Sequence, residues 1–145
     1  MESIAYINAL QAQTTDLGNA VNRRGAELSE AKKRLLRLLD LQEEIDGWRK
    51  GFESAQDQRR SVLFALKSSG VDSRIAVGYC QRMESVVNGN SAFAASDSFT
   101  HTLKKLADDI EETRLRISHL TRLIDTLRAD ENHLRQRIDR LKQEG

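Results

Sequence analysis

From Phe99 to the C-terminal end, every fourth and then every third position belongs to one row. The row is Phe99, Leu103, Leu106, Ile110, Thr113, Ile117, Leu120, Ile124, Leu127, Glu131, Leu134, Ile138 and Leu141. Ile dominates one set of positions and Leu the other, the a/d pattern of a two-stranded coiled coil. One helix cannot bury such a seam on itself. It requires a partner helix, in this chain or in another.

A second periodic stretch opens near Ser3 and extends to about Lys67. Its seam runs Ile7, Leu10, Thr14, Leu17, Val21, Arg24, Leu28, Ala31, Leu35, Leu38, and after a three-residue step resumes as Leu41, Ile45, Trp48, Phe52, Ala55, Arg59, Val62, Leu66. Such a step is a stammer, which overwinds a supercoil locally or marks a change of partner. Gly47 and Gly51 flank the single Trp48 just beyond it. Each costs a helix interior about 1 kcal/mol against Ala, so the bend is expected there.

Ser68-Ser69-Gly70 stops this helix, and Asp72 or Ser73 caps a short one through about Val87. Ile75, Tyr79, Met83 and Val86 share one of its faces. Asn88-Gly89-Asn90-Ser91 reads as a break, after which Ser96 or Asp97 caps the third helix.

These lengths predict an all-α fold in a single domain, an antiparallel coiled-coil hairpin stalk with a small helical head. Residues 3–46 and 99–143 form the stalk, each about 66 Å long at the α-helical rise, and residues 47–98 form the head. Six of the seven aromatics lie between Trp48 and Phe99, where rigid apolar contacts are expected to concentrate. Trp48 and Phe52, one turn apart, are expected to pack on the Tyr79–Met83 face. Arg24 and Glu131 are charged positions in otherwise apolar seams. Pairing them would set the register and bring Phe52 near Leu103; the alternative is that both snorkel to the surface. The rival to intramolecular closure is pairing between chains. A parallel homodimer would oppose Arg137 to Lys142 and Glu131 to its own copy.

Composition narrows the function. Charged residues make up 31% of the chain, there is no Pro, and 23 basic against 22 acidic residues leave a net charge of +1. Without a net field, nucleic acid and anionic membranes are not expected partners. The basic clusters Lys32-Lys33-Arg34 with Arg37, and Arg59-Arg60, read as solvated helix surface. His101, His119 and His133 fall on outward positions, and none stands at metal-binding spacing from another His or from Cys80. No Gly-rich phosphate loop or nucleophile elbow occurs, and neither Glu43-Glu44 nor Asp108-Asp109 converges on one face. No enzymatic activity, cofactor or metal is therefore expected. Cys80 reads as packing. The start, MESIAYINALQAQ, has neither the basic nor the apolar region of a signal peptide, and no stretch has the length of a membrane span. A cytoplasmic protein is expected, with export without a cleaved signal left open.

The segment Gly47-Trp48-Arg49-Lys50-Gly51, followed by Phe52 and Arg59, resembles the Trp-X-Gly turn of small helical partner proteins in bacterial type VII secretion, with one more residue between Trp and Gly. Phe93-Ala94-Ala95-Ser96-Asp97 matches the FxxxD pattern of some such partners. The resemblance implies a heteromeric targeting subunit that escorts LXG-domain toxins, with Trp48, Gly51, Phe52, Phe93 and Asp97 at the partner interface. The seam from Leu103 to Ile138 is also similar to coiled-coil stalk proteins of flagellar and type III export gates, which lack a separate head. Two roles follow as expectations: an adaptor for another helical protein, or a structural homo-oligomer that sets spacing.

Overall fold

The computed structural model describes residues 2–70 and 73–144, and all the elements in it are helices: α1 (Glu2–Ser68), α2 (Arg74–Asn88) and α3 (Asn90–Glu144). The protein is all-α, with no strand among the described residues.

The helix ends follow from local chemistry. Gly70 adopts φ 67°, a left-handed conformation open to Gly without penalty, and closes α1. Ser73 opens α2 by accepting the Ala76 N–H at 3.1 Å on its hydroxyl; Asp72, the other candidate cap, lies outside the described residues. Gly89 ends α2 and begins α3. Its N–H donates to the Ser85 carbonyl at 2.8 Å, while its own carbonyl accepts from Ala92 and Phe93. A Cβ on it would stand 2.1 Å from the Ser85 oxygen, so only Gly fits. The expected four-residue break thus contracts to one residue. The third helix starts at Asn90 rather than at Ser96 or Asp97, and Phe93–Asp97 is helical, not loop.

Two compact units divide the chain, Met1–Arg37 with Ile110–Gly145, and Leu38–Asp109. In the first unit α1 and α3 run antiparallel. The Arg137 guanidinium lies over the Tyr6 ring at 5.3 Å, and Gly18 faces the Glu131 carboxylate. Leu10 and Ala31 of α1, with Ile110, Thr113, Leu120, Ile124 and Ile138 of α3, form the buried core. Full burial of an Ile or Leu side chain stabilises by about 1.5–3 kcal/mol, so this row is what closes the unit. Of the two arrangements open to Arg24 and Glu131, the pair does not form. Arg24 binds Glu27 at 2.9 Å and Glu131 binds Arg135, each within its own helix. Partners one turn away need no particular register, so these two charges leave the alignment to the apolar row.

In the second unit the end of α1, all of α2 and the start of α3 pack together. Here the stammer is absent. The buried side of α1 continues in the same phase through Leu38, Gln42, Ile45, Arg49, Phe52, Gln56, Leu63 and Leu66, all buried or half-buried. Leu41, Trp48 and Val62, which the apolar pattern placed in the seam, are exposed. α1 is unbroken helix through Gly47 and Gly51. Of the polar groups this phase buries, Arg49 Nε has no hydrogen-bond partner among the described residues, whereas the Gln56 amide is satisfied. Gln56, 3% exposed, donates from Nε2 to the Val86 carbonyl at 3.1 Å and accepts from Arg59 on Oε1 at 2.9 Å. That carbonyl sits in the last turn of α2, where it has no partner within the helix. Val87 beside it is 2% exposed. The packed face of α2 is Ala76, Cys80, Met83 and Val87; of the expected face only Met83 is on it, while Ile75 is 83% exposed and Tyr79 and Val86 are exposed as well.

Candidate functional site

Because α1 keeps its phase, a large apolar row is turned outward from the second unit. Leu41, Trp48 and Val62 recur at multiples of seven residues, with half-buried Ala55 completing the row. Trp48 is 58% exposed, which corrects the expectation that it packs with Phe52 against Tyr79 and Met83. Phe52 turns the other way and meets Phe99 of α3, ring centroids 5.8 Å apart and planes tilted by 44°. That separation is within the range of favourable aromatic pairs. The ring against Phe52 is therefore Phe99, one turn before Leu103 on α3.

A shallow cleft of about 380 Å³ is lined by Ile45, Trp48, Ala95, Ser98, Phe99 and Thr102. Ile45, Trp48 and Phe99 are its large apolar side chains, and Ala95, Ser98 and Thr102 its small ones. A second, smaller cleft of about 90 Å³ is lined by Phe52, Gln56, Arg60, Val87, Phe93 and their neighbours. The structure therefore places Trp48 on one cleft and Phe52 and Phe93 on the other. Phe93 is 64% exposed, and Asp97, one turn along α3, is exposed too. Gly51 is exposed, with nothing within 4 Å of where its Cβ would be. Ala95, Ser98, Thr102 and Gln56 were not anticipated from the pattern. For Gln56 a signal existed, since it is seven residues from Arg49 and from Leu63 on the uninterrupted row.

Asp46, Arg49 and Lys50 lie beside Trp48 on α1. Asp46 accepts from Arg49 at 2.7 Å and pairs with Lys50 at 3.1 Å. The hydrogen bond from Lys50 is the largest effect on its carboxyl; desolvation opposes it, and the Arg49 hydrogen bond and the charge of both cations then hold the group below the ordinary value near 3.8. Among the described residues no three His, Cys, Asp or Glu side chains gather as a metal site, and no helix is long and apolar enough to cross a membrane. His101, His119 and His133 are all exposed. What the larger cleft offers a ligand is apolar contact with two hydroxyls beside it.

The seam residues of α3, Leu103, Ile110, Ile117, Leu120, Ile124, Leu127, Leu134 and Ile138, are all buried or half-buried, so they are packed within the chain rather than displayed. Comparison of the chain with protein-family models, with curated proteins and with solved structures returns no match.

Proposed function

We propose that this protein is a non-catalytic helical adaptor whose second unit binds another helical protein, a secreted effector being the partner class that the Trp-X-Gly resemblance implies. One observation carries the reading. Nine of the thirteen large apolar side chains exposed among the described residues belong to Leu38–Asp109, with Trp48 58%, Phe93 64% and Phe64 74% exposed. Exposed apolar groups gathered in one region mark interaction surfaces, whereas scattered ones do not. Trp and other aromatics are also the side chains that most often anchor interfaces. The finer fold is proposed to be an antiparallel coiled-coil hairpin stalk, with residues 47–98 as its small helical head.

The test is site-specific photo-crosslinking in the native host. A photoreactive residue is placed at Trp48 or Phe93, with a control at the exposed His119. Crosslinks from the first two positions to one defined, different polypeptide, absent from His119, support the adaptor. Crosslinks to the chain itself alone reject it and leave the structural homo-oligomer.

A further inference from the structure

The packed face of α2 is not its only apolar one. Ile75, Tyr79, Arg82 and Val86 form a second stripe with steps of four, three and four residues, and all four are exposed. That is the spacing at which one helix meets another. Ile75 is the most exposed large apolar side chain of the described residues, and it stands in the first turn of α2, which holds no acidic residue. An Asp or Glu there would stabilise the helix end through its dipole. The sequence places an isoleucine in water instead. Arg82 has no ion pair among the described residues, and Glu84, the one acid of α2, is bound to Lys67 of α1 at 3.1 Å. Gly78 and Ser85 stand beside the stripe, small enough for a second backbone to come close.

We propose that this stripe is the seat of a second copy of the chain, α2 packing antiparallel on α2 about a two-fold axis midway between residues 80 and 81. A two-fold contact must be self-complementary, each residue meeting one that meets it in return. Here Ile75 falls opposite Val86 of the other copy, and Tyr79 opposite its Arg82. Each pairing occurs twice. The aliphatic ends cover each other, and the one cation of the stripe meets the face of its one aromatic ring. The first unit already makes that contact, where Arg137 lies over Tyr6. Charge also selects the direction, because a parallel pair would set Arg82 against its own copy. A foreign helix would have to supply apolar groups and a counterpart for Arg82 in this order; a second α2 carries them already. The proposal goes beyond the adaptor reading and uses no residue of the Trp48 cleft, so each can fail alone.

Four side chains cover less than the roughly 800 Å² per partner of a stable complex. A reversible dimer is therefore expected, half-formed at about 10–100 µM protein. Sedimentation of the full chain across and above that range should show the 16.4 kDa monomer giving way to a species of twice the mass. Ile75→Asp strips an apolar pair from both ends of the contact and should raise the midpoint at least about tenfold. Its unfolding curve should be unchanged or improved, since an acid suits the first turn, so a lost dimer cannot be laid to a lost fold. Trp48→Ala should leave the midpoint where it is. In a Cys80→Ala background, chains carrying Ile75→Cys and chains carrying Val86→Cys, mixed and oxidised, should give the mixed disulfide ahead of either homodimer. A monomer at every concentration overturns the proposal and leaves the stripe to a different polypeptide. A dimer indifferent to Ile75→Asp overturns it too, and so does an Ile75→Cys homodimer that forms ahead of the mixed one.

Discussion

The two units are nearly equal in length and spend their apolar residues differently. Of the thirteen large hydrophobic side chains exposed among the described residues, nine belong to Leu38–Asp109 and four to the other unit. Burial runs the other way: seven of the eleven buried side chains are in Met1–Arg37 with Ile110–Gly145. The first unit meets an apolar α1 row with an apolar α3 row. In the second, α1 turns Gln42, Arg49 and Gln56 inward and Leu41, Trp48 and Val62 outward. Inward polar groups lower the stability available from burial, and outward apolar ones supply material for an interface. One unit is built to stay closed and the other to be met.

The sharpest way to break this contrast is a large-to-small change in each unit. Ile124→Ala, in the dense row, should lower unfolding stability by about 2–5 kcal/mol through lost contacts and a residual cavity. Trp48→Ala removes a larger side chain, yet should change it by no more than about 0.5 kcal/mol, because most of that surface is already in water. Urea titrations of both variants decide it. Equal losses would mean that Trp48 packs as firmly as the core and that the asymmetry is false.

Next in size is the polar seam. Gln56→Leu keeps volume but leaves the Val86 carbonyl without its donor, at a cost of about 1–3 kcal/mol. Hydrogen exchange should quicken in α2 while amides around Ile124 keep their protection. Uniform quickening would show that the units open together. Gly70→Ala should cost about 1–2 kcal/mol by forcing a side chain into the left-handed region, and Gly70→Asn should recover part of it.

Much of the first unit is legible in the sequence, because there hydrophobicity and helix phase agree. Leu10, Ile110, Leu120, Ile124 and Ile138 sit where a 3.5-residue period puts them, and all are buried. In the second unit the two signals disagree after Leu38. Following apolarity shifts the seam by three residues onto Leu41 and Trp48, whereas the helix holds its phase and buries Gln42, Arg49 and Gln56. Long side chains make this tolerable, since their stems lie along apolar surface while their polar ends reach partners. The same error moved the packed face of α2 and put Trp48 inside. Gly89 misled differently. Residues typical of a loop surround it, but one Gly whose N–H ends one helix and whose carbonyl starts the next needs no loop. The clefts were beyond sequence reasoning altogether, because small residues such as Ala95 and Ser98 acquire meaning only opposite Trp48.

The smallest expected effect concerns the charges beside that cleft. Lys50 and Arg49 depress the Asp46 carboxyl below its ordinary value near 3.8, so the folded state binds the proton less readily than the unfolded chain does. The resulting stabilisation is complete above the unfolded value and disappears as the pH falls through the folded one. Through Asp46, stability should therefore not vary with pH near neutrality and should decline slightly with acidification below about pH 4. Asp46→Asn should remove that part of the decline. The carboxyl resonance of Asp46 should titrate below the ordinary value near 3.8. If it does not, the Lys50 and Arg49 contacts do not persist in solution. The α1 surface next to Trp48 would then present a free carboxylate, and the second unit would differ from the first in its polar rim as well as in its apolar row.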